Sequence, residues 1–183
     1  MKRGGRPITA QYLQNAAAFY LERYPSTAQG LRRILQRRVA KARLFEAPVM
    51  ENVEQAIDTI VAKFVGVGVI DDKAFAQTKA LALHRRGTSE RLTRRKLKLA
   101  GIDGDTLDQA FAGLDQEIDA DPQAREWRAA VALARRRRLG PFRPAETRSD
   151  LRARDLAALA RAGFDYDLAR RVIDAASPDD LGL

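Results

Sequence analysis

The chain has 183 residues, enough for one domain with a real core or for a string of small packed units. Its 33 lysines and arginines against 24 aspartates and glutamates leave a net charge of +9, which points toward polyanions or acidic protein surfaces. The lack of cysteine removes disulfides, thiolate catalysis and zinc–thiolate sites, and a single histidine, His84, cannot make a metal cluster alone.

Residues 1–10 are basic and glycine-bearing and are expected to form a flexible tail. Over residues 11–24, Leu13, Ala16, Ala17, Tyr20 and Tyr24 recur at three and four, the helical period, and Pro25 ends the helix. Ser26-Thr27-Ala28-Gln29 fits a capping box for a second helix, serine and glutamine serving each other's backbone N–H groups. There Leu31, Leu35, Val39 and Ala42 form one stripe. Arg32, Arg33, Arg37, Lys41 and Arg43 lie on the other half of the wheel, and Arg38 fits neither. After Pro48 a third helix carries Val53, Ile57, Ile60 and Phe64.

The stretch from Gly66 to Ala76 is the junction on which the rest is organised. Its glycines can stop a helix, and Asp71 or Asp72 can start the next by accepting from free first-turn N–H groups. Val69 and Ile70 are too apolar for a solvated linker and are expected to pin the junction into a core. A short strand over residues 64–69 ranks second, since no partner strand is evident. The adjacent aspartates read as caps rather than as a catalytic pair.

Beyond the junction the plan recurs. A helix over residues 74–86 buries Phe75, Ala76, Ala80 and Leu83; Gly87-Thr88-Ser89 turns and caps; a helix over 90–100 follows, closed by Gly101. Asp105 can cap a helix buried through Leu107, Ala110, Phe111, Leu114 and Ile118. Asp121-Pro122 starts another, through Trp127, Val131 and Ala134 to Arg138. Gly140, Pro141 and Pro144 interrupt the chain before helices over 150–162 and 167–176. Trp127, at helical spacing with Val131, reads as core rather than as a stacking platform.

Residues 97–105 overlay residues 159–167 at an offset of sixty-two, with Gly101 on Gly163; the same offset sets Leu35 against Leu97 and Val39 against Gly101. The expected fold is therefore all-α: after the tail of residues 1–10, three tandem three-helix units over residues 11–68, 69–120 and 121–183, the last with a short C-terminal tail. Each unit is too small to bury its own face and packs on its neighbours.

No enzyme constellation appears. Gly66-x-Gly68 lacks the further glycine and the lysine–serine/threonine pair of a phosphate loop, and no nucleophile–histidine set exists. What stands out is charge segregation. Arg32, Arg33, Arg37, Arg38, Lys41 and Arg43 lie within residues 32–43 without an acid. Arg85, Arg86, Arg91, Arg94, Arg95, Lys96 and Lys98 face Glu90 alone, and Arg135, Arg136, Arg137 and Arg138 with Arg143 form a third cluster. Residues 102–121 hold seven acids and no base. In the second cluster Arg91, Arg94, Arg95 and Lys98 share an arc, whereas Lys96 falls on the apolar side and would have to snorkel. Like charges so dense repel one another, which an anionic partner relieves, although a merely solvated helix face is the bland reading. Few aromatics interleave the arginines, so backbone phosphate or an acidic protein groove is favoured over base stacking.

The stretch from Val67 to Ala76, with Ile70-Asp71-Asp72 and Phe75-Ala76, resembles the glycine-x-isoleucine-aspartate-aspartate-x-x-phenylalanine-alanine signature of the RecX regulatory proteins, bacterial modulators of the RecA recombinase. The likeness extends through Tyr24-Pro25-Ser26, Leu31 and Leu35, Arg86-Gly87-Thr88-Ser89, Lys96-Leu97, Ala100-Gly101-Ile102 and residues 157–164, covering roughly residues 11–176. It departs at Val39, at Lys73-Ala74, where an acidic–basic pair is common, and in the basic tail. The resemblance implies an elongated, curved array of three-helix repeats. It implies a cofactor-free, non-catalytic protein lying in the groove of the RecA–DNA filament, touching protein and phosphate and hindering strand exchange and coupled ATP hydrolysis.

On this reading Arg94, Arg95, Lys98 and the basic face of residues 32–43 contact DNA phosphate or acidic filament surface without sequence preference, and the protein is monomeric. No apolar run approaches the eighteen or so residues of a membrane span and no signal-peptide run follows the N-terminus, so the cytoplasm is expected. Two alternatives remain open: an autonomous sequence-specific helical DNA-binding protein, and an adaptor for acidic proteins.

Overall fold

The computed structural model describes residues 6–182, which form nine α-helices. They are α1 (Ala10–Leu21), α2 (Ala28–Leu44), α3 (Val53–Gly66), α4 (Asp72–Arg85), α5 (Glu90–Ala100), α6 (Gly104–Glu117), α7 (Pro122–Arg137), α8 (Arg148–Arg161) and α9 (Tyr166–Ile173). Short 3-10 turns occupy Gly140–Phe142, Ala145–Thr147 and Asp179–Leu181. Among the described residues the sole β contact is a bridge between Ile8 and Val49, so residues 64–69 are not a strand.

The chain divides into two compact units, one running through Phe75 and taking in Ala100–Ile102, the other comprising Ala76–Leu99 and Asp103 onward. In the first, Leu13 and Ala17 of α1, Leu31, Leu35 and Val39 of α2, and Val53, Ile57, Ile60 and Val61 of α3 form a single core that Ile8 and Ile70 complete. In the second, Ala129, Ala130, Leu133 and Ala134 of α7 pack with Leu159 of α8 and Val172 and Ile173 of α9. Leu97, Leu107, Ala110, Phe111 and Leu114 are buried as their spacing requires, while Ile118 is half-buried.

Met1 to Gly5 lie outside the described residues. The expected tail does not extend to residue 10, however. Ile8 is buried, its N–H donates to the Pro48 carbonyl at 2.8 Å and its carbonyl accepts from Met50 N–H at 3.1 Å. Thr9 then caps α1, its hydroxyl accepting from Tyr12 N–H.

Helix starts depart from the sequence reading in two places. Thr27, not Ser26, caps α2 and accepts from Gly30 N–H at 2.9 Å, because a second bond, from its hydroxyl to the Ala100 carbonyl, fixes it there. Asp103, not Asp105, caps α6 through Thr106 N–H at 2.7 Å.

The junction resolves into two caps. Asp71 accepts from Ala74 N–H at 2.9 Å and starts its own helix, α4. Asp72 instead accepts from Ala28 N–H at 2.9 Å, forty-four residues back, and serves the first turn of α2. Ile70 is buried as expected, but Val69 is 56% exposed: with Gly68 at φ +72° the chain reverses and turns that side chain outward. Ala76 is fully buried and Phe75 only half-buried.

The sixty-two-residue offset has a physical counterpart in each unit. The Thr27 hydroxyl donates to the Ala100 carbonyl at 2.5 Å and the Ser89 hydroxyl to the Ala162 carbonyl at 2.8 Å. Gly30 N–H donates to Thr27 and Leu92 N–H to Ser89, again sixty-two apart. Gly101 and Gly163 both sit at φ +97°, where a Cβ would collide with Gln29 and with Ser89 respectively. Where α5 stops at this glycine, α2 has Val39 and continues to Leu44.

Candidate nucleic-acid interface

Helix α5 carries the densest basic face. Thr93 and Leu97 are its buried side, and Arg91, Arg95 and Lys98, spaced four and three apart, form an exposed stripe. None of the three has a hydrogen-bond or ion-pair partner among the described residues. Lys96 is exposed rather than snorkelling, since the buried side of α5 is narrow enough to leave it in solvent.

Arg94 does not belong to that stripe. Its Nε donates to Glu90 at 2.6 Å and its Nη1 to Asp108 on α6 at 2.6 Å, and its guanidinium lies 4.6 Å from the Phe111 ring centroid. Glu90 extends its other oxygen to Arg125, a buried arginine that also binds Asp115 and sits 5.0 Å from the same ring. Two guanidiniums and one phenyl ring thus share a site held by Glu90, Asp108 and Asp115. Beside it, burial and then the charges of Arg125, Arg128 and Arg85 hold His84 below its ordinary pKa. Burial raises the Glu126 carboxyl, which accepts from Glu90 N–H.

The acidic tract is therefore largely committed within its own unit. Asp103 and Asp121 cap helices, Asp108 and Asp115 hold arginines, and Glu117 lies 3.7 Å from Arg85. Arg86 is exposed without a partner among the described residues.

On α2, Arg33, Arg37 and Lys41 follow one another at intervals of four and are exposed; Arg33, Gln36, Arg37 and Ala40 line a shallow depression. Arg32 is drawn aside to Asp58 (Nη2–Oδ1 2.8 Å), and Arg38 is half-buried with Nη1 3.5 Å from the Tyr12 hydroxyl. At the end of α7, Arg136, Arg137 and Arg138 are exposed, Arg138 as a left-handed C-cap at φ 53°, while Arg135 sits 5.7 Å over the Phe142 ring. Arg143 leaves this cluster and forks onto the buried Asp155 at 2.7 and 2.8 Å.

Sequence reasoning missed Arg125. Its signal was positional: Arg125, Ala129 and Leu133 recur at four, so an arginine occupies the apolar stripe of α7. It also missed Asp72 as a distant cap, which periodicity cannot show, and Arg143–Asp155, whose partners are twelve residues apart across the turn Ala145–Thr147.

Fold and surface together define an all-α chain with arginine-rich helix faces. Among the described residues no group of three or more potential ligands could hold a metal, and no helix is long and apolar enough to cross a membrane. The chain is 40% identical over 171 residues to the regulatory protein RecX of Myxococcus xanthus, spanning 93% of this chain and 88% of that protein. It is 28% identical over 162 residues to the regulatory protein RecX of Agrobacterium fabrum, spanning 88% and 82%. No protein-family model matches it. A crystal structure of a regulatory protein RecX shares the fold, with a TM-score of 0.57 over 91% of this chain and 72% of that one at 19% identity. The chain belongs to the RecX family of regulatory proteins.

Proposed function

We propose that this protein is a non-catalytic regulator of the RecA recombinase, acting in the cytoplasm as a monomer on the RecA–DNA filament. The observation that carries this reading is the stripe Arg91, Arg95 and Lys98, three exposed cations left without carboxylate partners on a chain of the RecX family. Phosphate suits them, with arginine offering forked contacts and lysine a point charge. Arg33, Arg37 and Lys41 on α2, Arg86, and Arg136 to Arg138 extend the same chemistry. Occupying the filament groove hinders strand exchange and the ATP hydrolysis coupled to it. We also read the helices as three tandem triplets, supported by the hydroxyl–carbonyl pairs that recur at sixty-two.

The test is a RecA strand-exchange and ATPase assay with this protein added below stoichiometry. Inhibition of both that weakens in an Arg91→Glu/Arg95→Glu variant supports the proposal. Unchanged rates, or protection of one defined duplex sequence in the absence of recombinase, would overturn it in favour of an autonomous DNA-binding protein.

A further inference from the structure

The second unit has a basic surface that the sequence reading did not nominate. Trp127 is half-buried on the core of α7–α9, and its indole N–H donates to the Leu181 carbonyl at 3.0 Å, which fixes the ring. The Arg171 guanidinium lies 4.8 Å from that ring's centroid. Both residues line two adjoining depressions, one of about 1400 Å³ reaching Arg91 and Arg94, the other of about 620 Å³ reaching Arg152 and Arg170. Arg170 and Arg171 are exposed and make no bond to a carboxylate among the described residues.

The carboxylates here are mostly engaged. Asp121 and Asp165 cap α7 and α9, and Glu126 accepts from Glu90 N–H. Asp174 holds Arg152 at 2.7 Å on both oxygens, and Asp180 accepts from Ser177 N–H. Asp167 alone is exposed and without such a partner among the described residues.

The Arg171 guanidinium rests against a fixed indole while the residue itself stays exposed to solvent. Nucleobases stack on planar guanidinium groups, and an ordered arginine loses less freedom when one does so. We propose that Arg171, backed by Trp127, is a stacking site for an unpaired base of single-stranded nucleic acid, with Arg170 placed for an adjoining phosphate. This goes beyond the regulatory reading, which needs only backbone contacts; Trp127 packs on the core as its spacing predicts and backs the platform without being it.

Trp127 is the only tryptophan, so its emission reports this place alone. The full chain is titrated with oligothymidylate, following tryptophan emission and, in parallel, anisotropy of the labelled strand. Quenching that saturates with the anisotropy is expected, with weaker quenching by a blunt hairpin duplex of equal charge. Arg171→Lys keeps the charge but removes the flat face, and should weaken the emission-detected affinity by roughly tenfold with helicity by circular dichroism unchanged.

Emission that stays constant while anisotropy saturates, full retention of quenching in Arg171→Lys, or equal quenching by polyglutamate would each overturn the site. Should emission stay silent while strand exchange is still inhibited, this site fails and the regulatory reading survives. Inhibition lost only when Arg91 and Arg95 are reversed leaves the two separable.

Discussion

The Ser89 hydroxyl donates to the Ala162 carbonyl, seventy-three residues away, while accepting from Leu92 N–H at the start of α5. One buried side chain therefore caps a helix and closes the end of another, and Thr27 does the same between α2 and Ala100. Removing it orphans a carbonyl and a first-turn N–H together. Ser89→Ala is expected to cost about 2 kcal/mol in urea unfolding, and Thr27→Ser much less, since the hydroxyl survives. Equal stability of Ser89→Ala and wild type would mean that the bond is not a structural fastening.

Arg94 and Arg95 are neighbours in sequence with opposite duties. Arg94 is engaged by Glu90 and Asp108, so Arg94→Glu should lower the unfolding midpoint clearly. Arg95→Glu, on the exposed stripe, should change stability by less than about 0.5 kcal/mol while weakening polyanion binding. The slope of log affinity against log salt should become shallower by about one, since one phosphate fewer is neutralised. The reverse result would exchange the two roles.

Arg125 offers a sharper contrast. Truncation to alanine leaves Glu90 and Asp115 without their buried cation and should cost about 3–5 kcal/mol. Arg125→Met, which fills the space without charge, should do less harm when combined with Glu90→Gln and Asp115→Asn. A double-mutant cycle reads the coupling directly, and an additive cycle would show that the cluster is not one unit.

The helices were legible because their apolar residues recur at three and four with glycine, proline and aspartate at the breaks; α5 and the start of α7 fall where spacing and caps put them. The basic faces were legible as charge runs. What a run cannot show is which member an acid far along the chain will claim: Asp108 takes Arg94, Asp58 takes Arg32 and Asp155 takes Arg143, leaving Arg91, Arg95 and Lys98 outside. Capping shows the same limit. Asp71 acts three residues ahead, within reach of local pattern, whereas Asp72 serves Ala28 across tertiary space. Val69 failed for a local reason, the left-handed turn at Gly68.

Asp155 gives a prediction in pH. Burial pushes its carboxyl up, but the Arg143 fork and the Gly140 N–H more than offset this and hold it below the ordinary carboxylate range. A carboxylate depressed in the folded state contributes stability that is complete above its unfolded pKa, near 3.9, and is lost as pH falls through the folded value. Glu126 acts in the opposite sense, since burial raises its carboxyl and favours the folded state where it is protonated. Total stability against pH mixes the two, so the informative quantity is the gap between wild type and Asp155→Asn. That gap should be constant from pH 7 to about 5 and close steadily below about 4 in urea unfolding. A gap that stays constant through acid would mean that Arg143 meets Asp155 without stabilising its ionised form.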